Sequence, residues 1–200
     1  MDDKREQILK AALSLFLRRG FDATTMDEVA AKTRIAKGTL YLHFKDKADL
    51  YVSLIEQKAD ALNQALNGIA ASDATPTAKL ETIIRRNLEF IAHEYSGAEF
   101  FHDTQVGHNP EVLKLIKTRI TPKLENLLQV IAGVVKQGIA AREFRKVDPF
   151  SIAVRVFGLV NVNLMRRALD PEPMDPAKEA AALRDFIFHG IGARQGESKS

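Results

Sequence analysis

The run KGTLYLHFK at residues 37–45 combines basic, aromatic and hydroxyl side chains at spacings that suit chemistry with a polyanion. As a helix, with about 100° per residue, it places Leu40 and Phe44 on one face, where they would pack against neighbouring helices. The other faces carry charged and hydrogen-bonding groups together with the large apolar side chain of Leu42. Lysines attract phosphates, and hydroxyl, phenol and imidazole groups reach phosphates or base edges. The functional interpretation of this run is a contact with DNA, in which Leu42 would meet a thymine methyl group.

Gly38 stands near the start of this predicted helix, where glycine costs about 1 kcal/mol relative to alanine. Without a Cβ, the backbone N–H groups at the helix start can come close to a phosphate. The simpler interpretation is a solvated helix face with half-buried aromatic residues. Taken alone, the run favours neither interpretation.

Two short helices are predicted before this run. Apolar residues recur at helical spacing in the first, which Gly20 ends: Ile8, Leu9, Ala12, Leu15 and Phe16. Thr25 and Glu28 have the spacing of a capping box, which predicts the start of the second. Asp46 is suited to cap a later, longer helix. The three helices have the layout of a helix-turn-helix whose second helix is free to enter the major groove.

The segment TMDEVA at residues 25–30, followed by KGTLYLHFKDK at residues 37–47 and by Leu50, resembles the N-terminal DNA-binding domain of TetR/AcrR-family transcriptional regulators. The pairs at residues 20–21 and 24–25 stand where that family ends its first helix and begins its second. The resemblance covers about residues 5–55. It implies an all-α fold, in which a three-helix helix-turn-helix domain is joined by a connector helix to a larger helical bundle for ligand binding and dimerisation.

The resemblance implies that Thr25 and Lys47 hold phosphates on either side of the recognition helix. With the residues of the run, the predicted DNA-binding set is Thr25, Lys37, Gly38, Thr39, Tyr41, Leu42, His43, Lys45 and Lys47. Two positions depart from the family pattern. Arg34 replaces the usual glycine of the tight turn, so either the turn is less regular or Arg34 itself reaches a phosphate. Ala36 cannot cap the recognition helix with a hydroxyl group.

The composition excludes several classes of protein. The chain has 200 residues, a net charge of +3 and no cysteine, which excludes disulfides, thiolate zinc sites and cysteine nucleophiles. We expect no signal peptide and no membrane span, and therefore a cytoplasmic protein. Residues 32–47 carry five basic residues and one acidic residue, which indicates a polyanion partner at one end. Gly-x-Ser-x-Gly, P-loop and His-Glu-x-x-His motifs are absent from the sequence, so we expect neither enzyme activity nor a cofactor.

The rest of the chain has helical periodicity throughout, which predicts an all-helical protein. We predict a DNA-binding domain at residues 1–50, an effector-binding and dimerisation domain at 51–193 and a flexible tail at 194–200. A connector helix at 46–69 should bridge both domains. A long helix from about Glu111 towards Gly138 should bend or break near Pro122, which lacks an N–H group. The last two helices are expected at roughly 149–169 and 176–191, after a loop at 142–149.

The helix predicted at 149–169 is apolar around nearly its whole circumference. Such a helix must be covered on every side. We predict that it forms a homodimer interface with the last helix, through Ile152, Val156, Val160, Leu183, Phe186 and Ile187. Burial inside its own subunit is the alternative. A two-fold dimer would set two recognition helices about 34 Å apart, which requires a (pseudo)palindromic operator.

The family resemblance also implies an effector inside the bundle. The candidate lining residues are Leu88, Ile91, Phe100, Phe101, Leu113, Ile116, Leu127, Ile131 and Phe157. For each of them a packed core is the alternative. Candidate polar anchors are Asn87, His93, His102 and Asn161. His102, Asp103 and His108 lack strict helical ligand spacing, so no metal site is expected.

These observations predict a ligand-responsive, dimeric transcriptional regulator bound to double-stranded DNA. The resemblance favours a repressor that is released by a small, largely apolar molecule. An all-helical enzyme and an adaptor that binds protein partners through its basic face are the alternatives.

Overall fold

The computed structural model of the chain describes residues 3–94, 109–169 and 174–191. These residues form helices and contain no β-strand, which confirms the predicted all-α fold. The helices are α1 (Asp3–Arg19), α2 (Met26–Thr33), α3 (Lys37–His43), α4 (Lys47–Ala71), α5 (Pro76–Glu94), α6 (Pro110–Leu115), α7 (Thr121–Ala140), α8 (Pro149–Leu169) and α9 (Pro176–Ile191). A π-helical segment, Ile116–Ile120, lies between α6 and α7.

Local capping explains where several helices begin. The Thr25 hydroxyl accepts the Glu28 N–H group and the Glu28 carboxylate accepts the Thr25 N–H group, so the predicted capping box is confirmed. Asp46 Oδ1 accepts the N–H group of Asp49 at 2.8 Å, which confirms Asp46 as the cap of α4. Asn109 caps α6 in the same way, and Pro110 follows it at the first helical position, where a missing N–H group is harmless.

The predicted interruption near Pro122 takes the form of the π-helical segment. The Thr121 N–H group donates to the Ile116 carbonyl, five residues back instead of four. Pro122 has no N–H group and its ring would clash with a regular helical turn before it. The wider turn accommodates one extra residue ahead of the proline, and α7 then continues to Ala140.

The described residues divide into two compact units. The first contains residues 3–60 and 109–123, and the second contains residues 61–94, 124–169 and 174–191. The domain division that we predicted after residue 50 separates a DNA-binding part from an effector-binding part. The two compact units do not test that functional division, which stays a prediction.

The core of the first unit is built on the apolar stripe of α1. Ile8, Leu9, Ala12, Leu15 and Phe16 are all buried, as their spacing predicted. Phe16, Phe21 and Tyr51 form an aromatic cluster with ring centroids 5.1–5.9 Å apart. Since the buried residues of α3 and the first half of α4 belong to the same cluster, α3 sits on a rigid base.

In the second unit, α5, α7, α8 and α9 share a core with the end of α4. Leu80, Ile83, Ile84 and Leu88 of α5 are fully buried there. Gly138 lies so close to the Phe144 ring that an alanine Cβ would sit 2.1 Å from the ring's Cδ2 atom. None of the helices within the described ranges is long and apolar enough to cross a membrane.

Candidate nucleic-acid interface

The outer face of α3 is the most exposed apolar and aromatic surface of the first unit. Leu40 is fully buried and Phe44 is 1% exposed, so they anchor the helix as predicted. Leu42 is 86% exposed and Tyr41 is 45% exposed on the other side. A single exposed leucine is ordinary, but an exposed leucine next to an exposed aromatic residue on one short helix is more informative. The arrangement therefore leaves Leu42 and Tyr41 accessible on the surface of the first unit.

Gly38 is not required by the fold. A Cβ added at Gly38 would meet no described atom within 4 Å outside its own turn. Its φ is not among the positive values, which belong to Gly20, Arg34 and Arg142 in the described ranges. Neither crowding nor backbone strain within the protein explains the glycine, which agrees with a close approach by something outside it.

The turn between α2 and α3 is regular despite its arginine. Arg34 adopts the left-handed conformation (φ 56°, ψ 34°) that glycine usually supplies there. Its N–H group still bonds to the α2 carbonyls of Ala30 and Ala31. Ala36 makes no side-chain cap, as expected, and the side chain of Lys37 instead pairs with Asp27 at 2.6 Å.

Thr25 and Lys47 already serve the fold at the positions where we predicted phosphate contacts. Thr25 is exposed, and its hydroxyl caps α2. The Glu28 carboxylate that completes the capping box has a lowered pKa, because the Thr25 backbone N–H group and hydroxyl donate to it. The Lys47 ammonium donates to the Phe21 carbonyl at 2.8 Å and the Asp22 carbonyl at 3.1 Å, and it lies 4.4 Å from the centre of the Phe21 ring.

The nine predicted DNA-binding residues all fall within the first unit. Seven of them belong to the stretch from Lys37 to Lys45, an eighth is Lys47 just beyond it, and all nine are exposed or half-buried. Lys32 is a further exposed lysine, with its ammonium on the Ser14 hydroxyl at 2.7 Å. The structure thus brings together the set that the sequence grouped by spacing. Their contacts with DNA stay a prediction.

The predicted effector residues do not form one group. Leu88, Ile91, Leu127, Ile131 and Phe157 share the core of the second unit. Leu113 is 47% exposed and Ile116 packs on the core of the first unit. Phe100 and Phe101 lie outside the described residues, as do His102, Asp103, His108 and the side chain of His93.

Two of the candidate polar anchors are paired within their own helices. Asn87 donates to the Ile83 carbonyl at 3.1 Å, and Asn161 donates to the Phe157 carbonyl at 2.8 Å. In the described part of the chain, no three His, Asp or Glu side chains are placed to hold a metal ion. The effector site stays a prediction.

The predicted dimer residues are mostly buried within their own unit. Ile152, Val156, Val160, Leu183 and Ile187 are at most 9% exposed, whereas Phe186 is 67% exposed. Among the residues of α8 whose side chains the structure describes, the exposed large apolar ones are others: Phe150, Val154 and Val162, which are 44–54% exposed. The sequence did not separate these two faces, because α8 is apolar on both.

Comparison with known proteins shows which family the N-terminal segment resembles. Residues 8–54 match the model described as "Bacterial regulatory proteins, tetR family". This match contains α2, the turn, α3 and the first turns of α4. The N-terminal segment of the chain, residues 8–54, is thus of the tetR type. The resemblance drawn from the sequence is thereby confirmed.

Similarity to individual members of the tetR family extends beyond that segment. The fatty acid metabolism regulator protein of Bacillus subtilis is 23% identical over 189 residues, which cover 94% of this chain and 95% of that protein. The regulator YerO of the same organism is 46% identical over 56 residues, or 28% of this chain and 19% of that protein. The solved structure of the Bacillus subtilis regulator FadR in complex with stearoyl-CoA superposes with a TM-score of 0.79. The superposition covers 93% of this chain and 98% of the FadR chain. At 21% sequence identity, this similarity concerns the fold.

Proposed function

We propose that this chain is a dimeric, ligand-responsive transcriptional regulator that binds a (pseudo)palindromic operator through α3. The observation that carries the proposal is the side of α3 opposite Leu40 and Phe44, where the 86% exposed Leu42 stands beside Tyr41 and a glycine that the fold does not need. A rigid helix with such a face is suited to the major groove. The proteins it resembles are named as regulators, which favours a non-enzymatic role over the enzyme and adaptor alternatives.

Within this proposal, α3 reads bases through Leu42, and Lys45 binds the phosphate backbone. Contact of an apolar side chain with a thymine methyl group depends on the base pair, whereas a lysine–phosphate contact does not. Leu42 is so exposed that its removal should leave folding unaffected. The two classes of contact therefore give different results when one side chain at a time is truncated.

The test uses the DNA that flanks the protein's own gene, with footprinting to locate the operator. Fluorescence anisotropy then measures affinity for the operator, for variants with single base-pair changes and for an unrelated duplex, each over a range of salt. Leu42→Ala should lose about 1 kcal/mol or more of preference at particular base pairs. Lys45→Ala should weaken binding to every duplex and reduce the log–log salt slope by about one unit.

Leu124→Ala and Lys136→Ala are matched controls, because both side chains are exposed on α7. They should bind DNA as the wild type does. Equal loss of affinity on all duplexes from Leu42→Ala would contradict base recognition. Absence of operator binding by the wild type would contradict the proposal as a whole.

We place the dimer surface on the apolar row of α8 and on Phe186 of α9. Phe150, Val154, Gly158 and Val162 recur every four residues and so share one face of α8. Beside them, a groove of about 540 Å³ is lined by both helices and includes Arg155, Leu159 and Phe186. An apolar face of this kind on a soluble protein marks an interaction surface. A second copy of the chain would cover it and supply the other recognition helix.

Val154→Glu tests this surface, because it places an uncompensated charge in the middle of the row. The expected result is a monomer in light scattering and at least a tenfold loss of operator affinity, since burying an unpaired charge costs several kcal/mol. Leu124→Glu, the same kind of change at another exposed position, should remain dimeric. A dimeric Val154→Glu protein would exclude this face.

An apolar, acyl-chain compound is the effector that we propose. The support is the cluster of apolar side chains Leu88, Ile91, Leu127 and Ile131 in the second unit, and the stearoyl-CoA bound by the FadR structure of similar fold. Such a ligand alters DNA binding only if it prefers one of two arrangements of the protein. We propose that it favours an arrangement in which α4 shifts and the operator is released.

Stearoyl-CoA and free coenzyme A form a matched pair of probes, since they differ by the acyl chain. Added to the operator complex, stearoyl-CoA should lower the anisotropy and raise the melting temperature of the free protein, whereas coenzyme A should do neither. If neither probe changes DNA affinity or melting, the acyl class is wrong. The DNA-binding proposal would be unaffected by that result.

A further inference from the structure

Arg119, in the π-helical segment, binds three side chains on one face of α4. Its guanidinium contacts Asp49 Oδ1 at 2.6 Å, the Ser53 hydroxyl at 2.9 Å and the Glu56 carboxylate at 3.0 Å from Nε. Residues 49, 53 and 56 follow helical spacing, so a single planar fork can reach all of them. All four residues belong to the first unit.

This network is better shielded from water than a surface ion pair. The side chains of Arg119, Asp49 and Glu56 are only 23–25% exposed. Burial raises the pKa of Glu56, but the hydrogen bonds and charges of Arg119 and Lys123 outweigh burial, and the pKa is lowered. Partly buried, charge-assisted and forked contacts fix geometry more firmly than exposed pairs do.

Asp49 links this network to the end of the DNA-facing segment. While Oδ1 binds Arg119, Oδ2 accepts the backbone N–H group of Lys45 at 2.9 Å. The Asp49 N–H group in turn donates to Asp46 Oδ1. Lys45 lies two residues beyond the end of α3 and carries one of the predicted phosphate contacts. One carboxylate therefore connects Arg119 to the turn that fixes where α3 ends and α4 begins.

Arg119 faces α4 from within the π-helical segment. Ile116 and Ile120, at the two ends of the segment, pack on the core of the first unit. An ordinary α-helical turn would hold one residue fewer than this π-helical turn. The residues on one side of it would then be rotated by about 100° around the helix axis relative to those on the other side. The guanidinium would then leave the face that holds Asp49 and Glu56. The wide turn before Pro122 and the network are thus parts of one arrangement.

We propose that Arg119 is a positioning residue for DNA binding, which acts through Asp49 on the backbone at Lys45. The inference rests on the proposed DNA-binding function. Arg119 holds the Asp49 carboxylate in the one orientation that serves both partners, so the turn from Phe44 to Asp46 is set before DNA arrives. Preorganisation of this kind adds to specific binding, where geometry is demanding, and adds little to nonspecific binding.

The test compares Arg119→Met, Arg119→Lys and Asp49→Asn with the wild type. Arg86→Met is the matched control, because Arg86 is an exposed arginine of α5 whose guanidinium lies 3.7 Å from the Glu89 carboxylate. Anisotropy measures affinity for the operator and for an unrelated duplex of equal length over a range of salt. Amide hydrogen exchange of Lys45 is followed in the protein without DNA, and circular dichroism verifies folding.

Arg119→Met should reduce operator affinity about tenfold, the effect of losing one charge-assisted hydrogen bond, and should reduce nonspecific affinity less than about twofold. The salt slope should stay that of the wild type, and the Lys45 amide should exchange faster. Arg119→Lys should recover part of the affinity, because an ammonium can keep Asp49 without the fork. Asp49→Asn combined with Arg119→Met should lose less than the sum of the single losses.

Two results would overturn the inference. A salt slope reduced by about one unit, with equal loss on both duplexes, would make Arg119 a direct phosphate contact. If operator affinity and the exchange of the Lys45 amide were unchanged and only the melting temperature fell, the network would stabilise the fold without contributing to DNA binding. If Arg119→Met does not fold, Arg119→Lys and Asp49→Asn decide by the same measurements. A wild type that binds no operator would instead refute the proposed function itself.

Discussion

Replacing Gly38 with alanine separates the needs of the fold from those of a partner. Gly38 lies in α3 with a helical backbone, and an added Cβ would touch no described atom within 4 Å. In a helix, alanine is favoured over glycine by up to about 1 kcal/mol. We therefore expect Gly38→Ala to stabilise the free protein, with an increase in melting temperature of about 2–4 °C for a chain of this size.

The same methyl group should weaken DNA binding. If the backbone at Gly38 comes against a phosphate, a Cβ forces the helix outwards and lengthens its charge-assisted hydrogen bonds. Losing one such bond costs about 1.5–3 kcal/mol, which corresponds to roughly a tenfold to hundredfold loss of affinity. The free energy of unfolding and the free energy of binding should thus move in opposite directions. A merely damaged fold cannot give that result.

Gly133→Ala is the control, because Gly133 also lies in a helix with nothing within 4 Å of its added Cβ. It should raise the melting temperature and leave operator affinity unchanged. Both quantities can be measured on one preparation, by calorimetry and by anisotropy. If Gly38→Ala is stabilised and still binds the operator as tightly as the wild type, the reasoning about close approach is wrong.

Two further substitutions test other parts of the first unit. Lys47→Ala should weaken binding to every duplex and reduce the salt slope by about one unit. It should also lower the free energy of unfolding by about 1 kcal/mol, because Lys47 bonds to two carbonyls of the turn after α1. An unchanged salt slope would exclude the phosphate contact. Glu56→Gln should destabilise the protein by about 1 kcal/mol at neutral pH. The pKa of Glu56 is lowered from 4.5 in the folded state, so the difference in free energy of unfolding between wild type and variant should shrink as the pH falls below about 4.5. Urea titrations of both proteins at each pH measure this difference. Glu125→Gln, at an exposed position, is the control. A difference that grows in acid would contradict the assigned direction.

Features determined by neighbouring residues could be predicted from the sequence. The capping box at Thr25 and the cap at Asp46 each involve groups three residues apart, so the residue types at these positions predict the capping hydrogen bonds and the helix starts. The burial of Leu40 and Phe44 beside an exposed Leu42 follows from one helical period. For the same reason the grouping of the candidate DNA-binding residues was visible before any coordinates.

Features that join distant segments could not be predicted in this way. Arg119 meets Glu56 and Asp49 across 63 and 70 residues of sequence, and nothing near Arg119 indicates those partners. The sequence showed that Pro122 would interrupt a helix, but the π-helical form depends on the packing of Ile116 and Ile120. On α8, Val154 and Val156 are equally apolar, yet only the tertiary structure shows that Val154 is 45% exposed and Val156 is buried.

For Lys47 we predict a phosphate contact in addition to its observed role in the fold. An ammonium group has three N–H donors, and the carbonyls of Phe21 and Asp22 accept two of them. A phosphate needs only the third. The same bonds hold the turn that leads to Thr25, the second predicted phosphate contact, so Lys47 fixes its own position and that of Thr25 together. Lys47→Arg should preserve the salt slope but reduce affinity for all duplexes, because the larger, planar guanidinium does not fit the position that the compact ammonium occupies beside the Phe21 and Asp22 carbonyls. Full affinity in Lys47→Arg would show that charge alone suffices at this position.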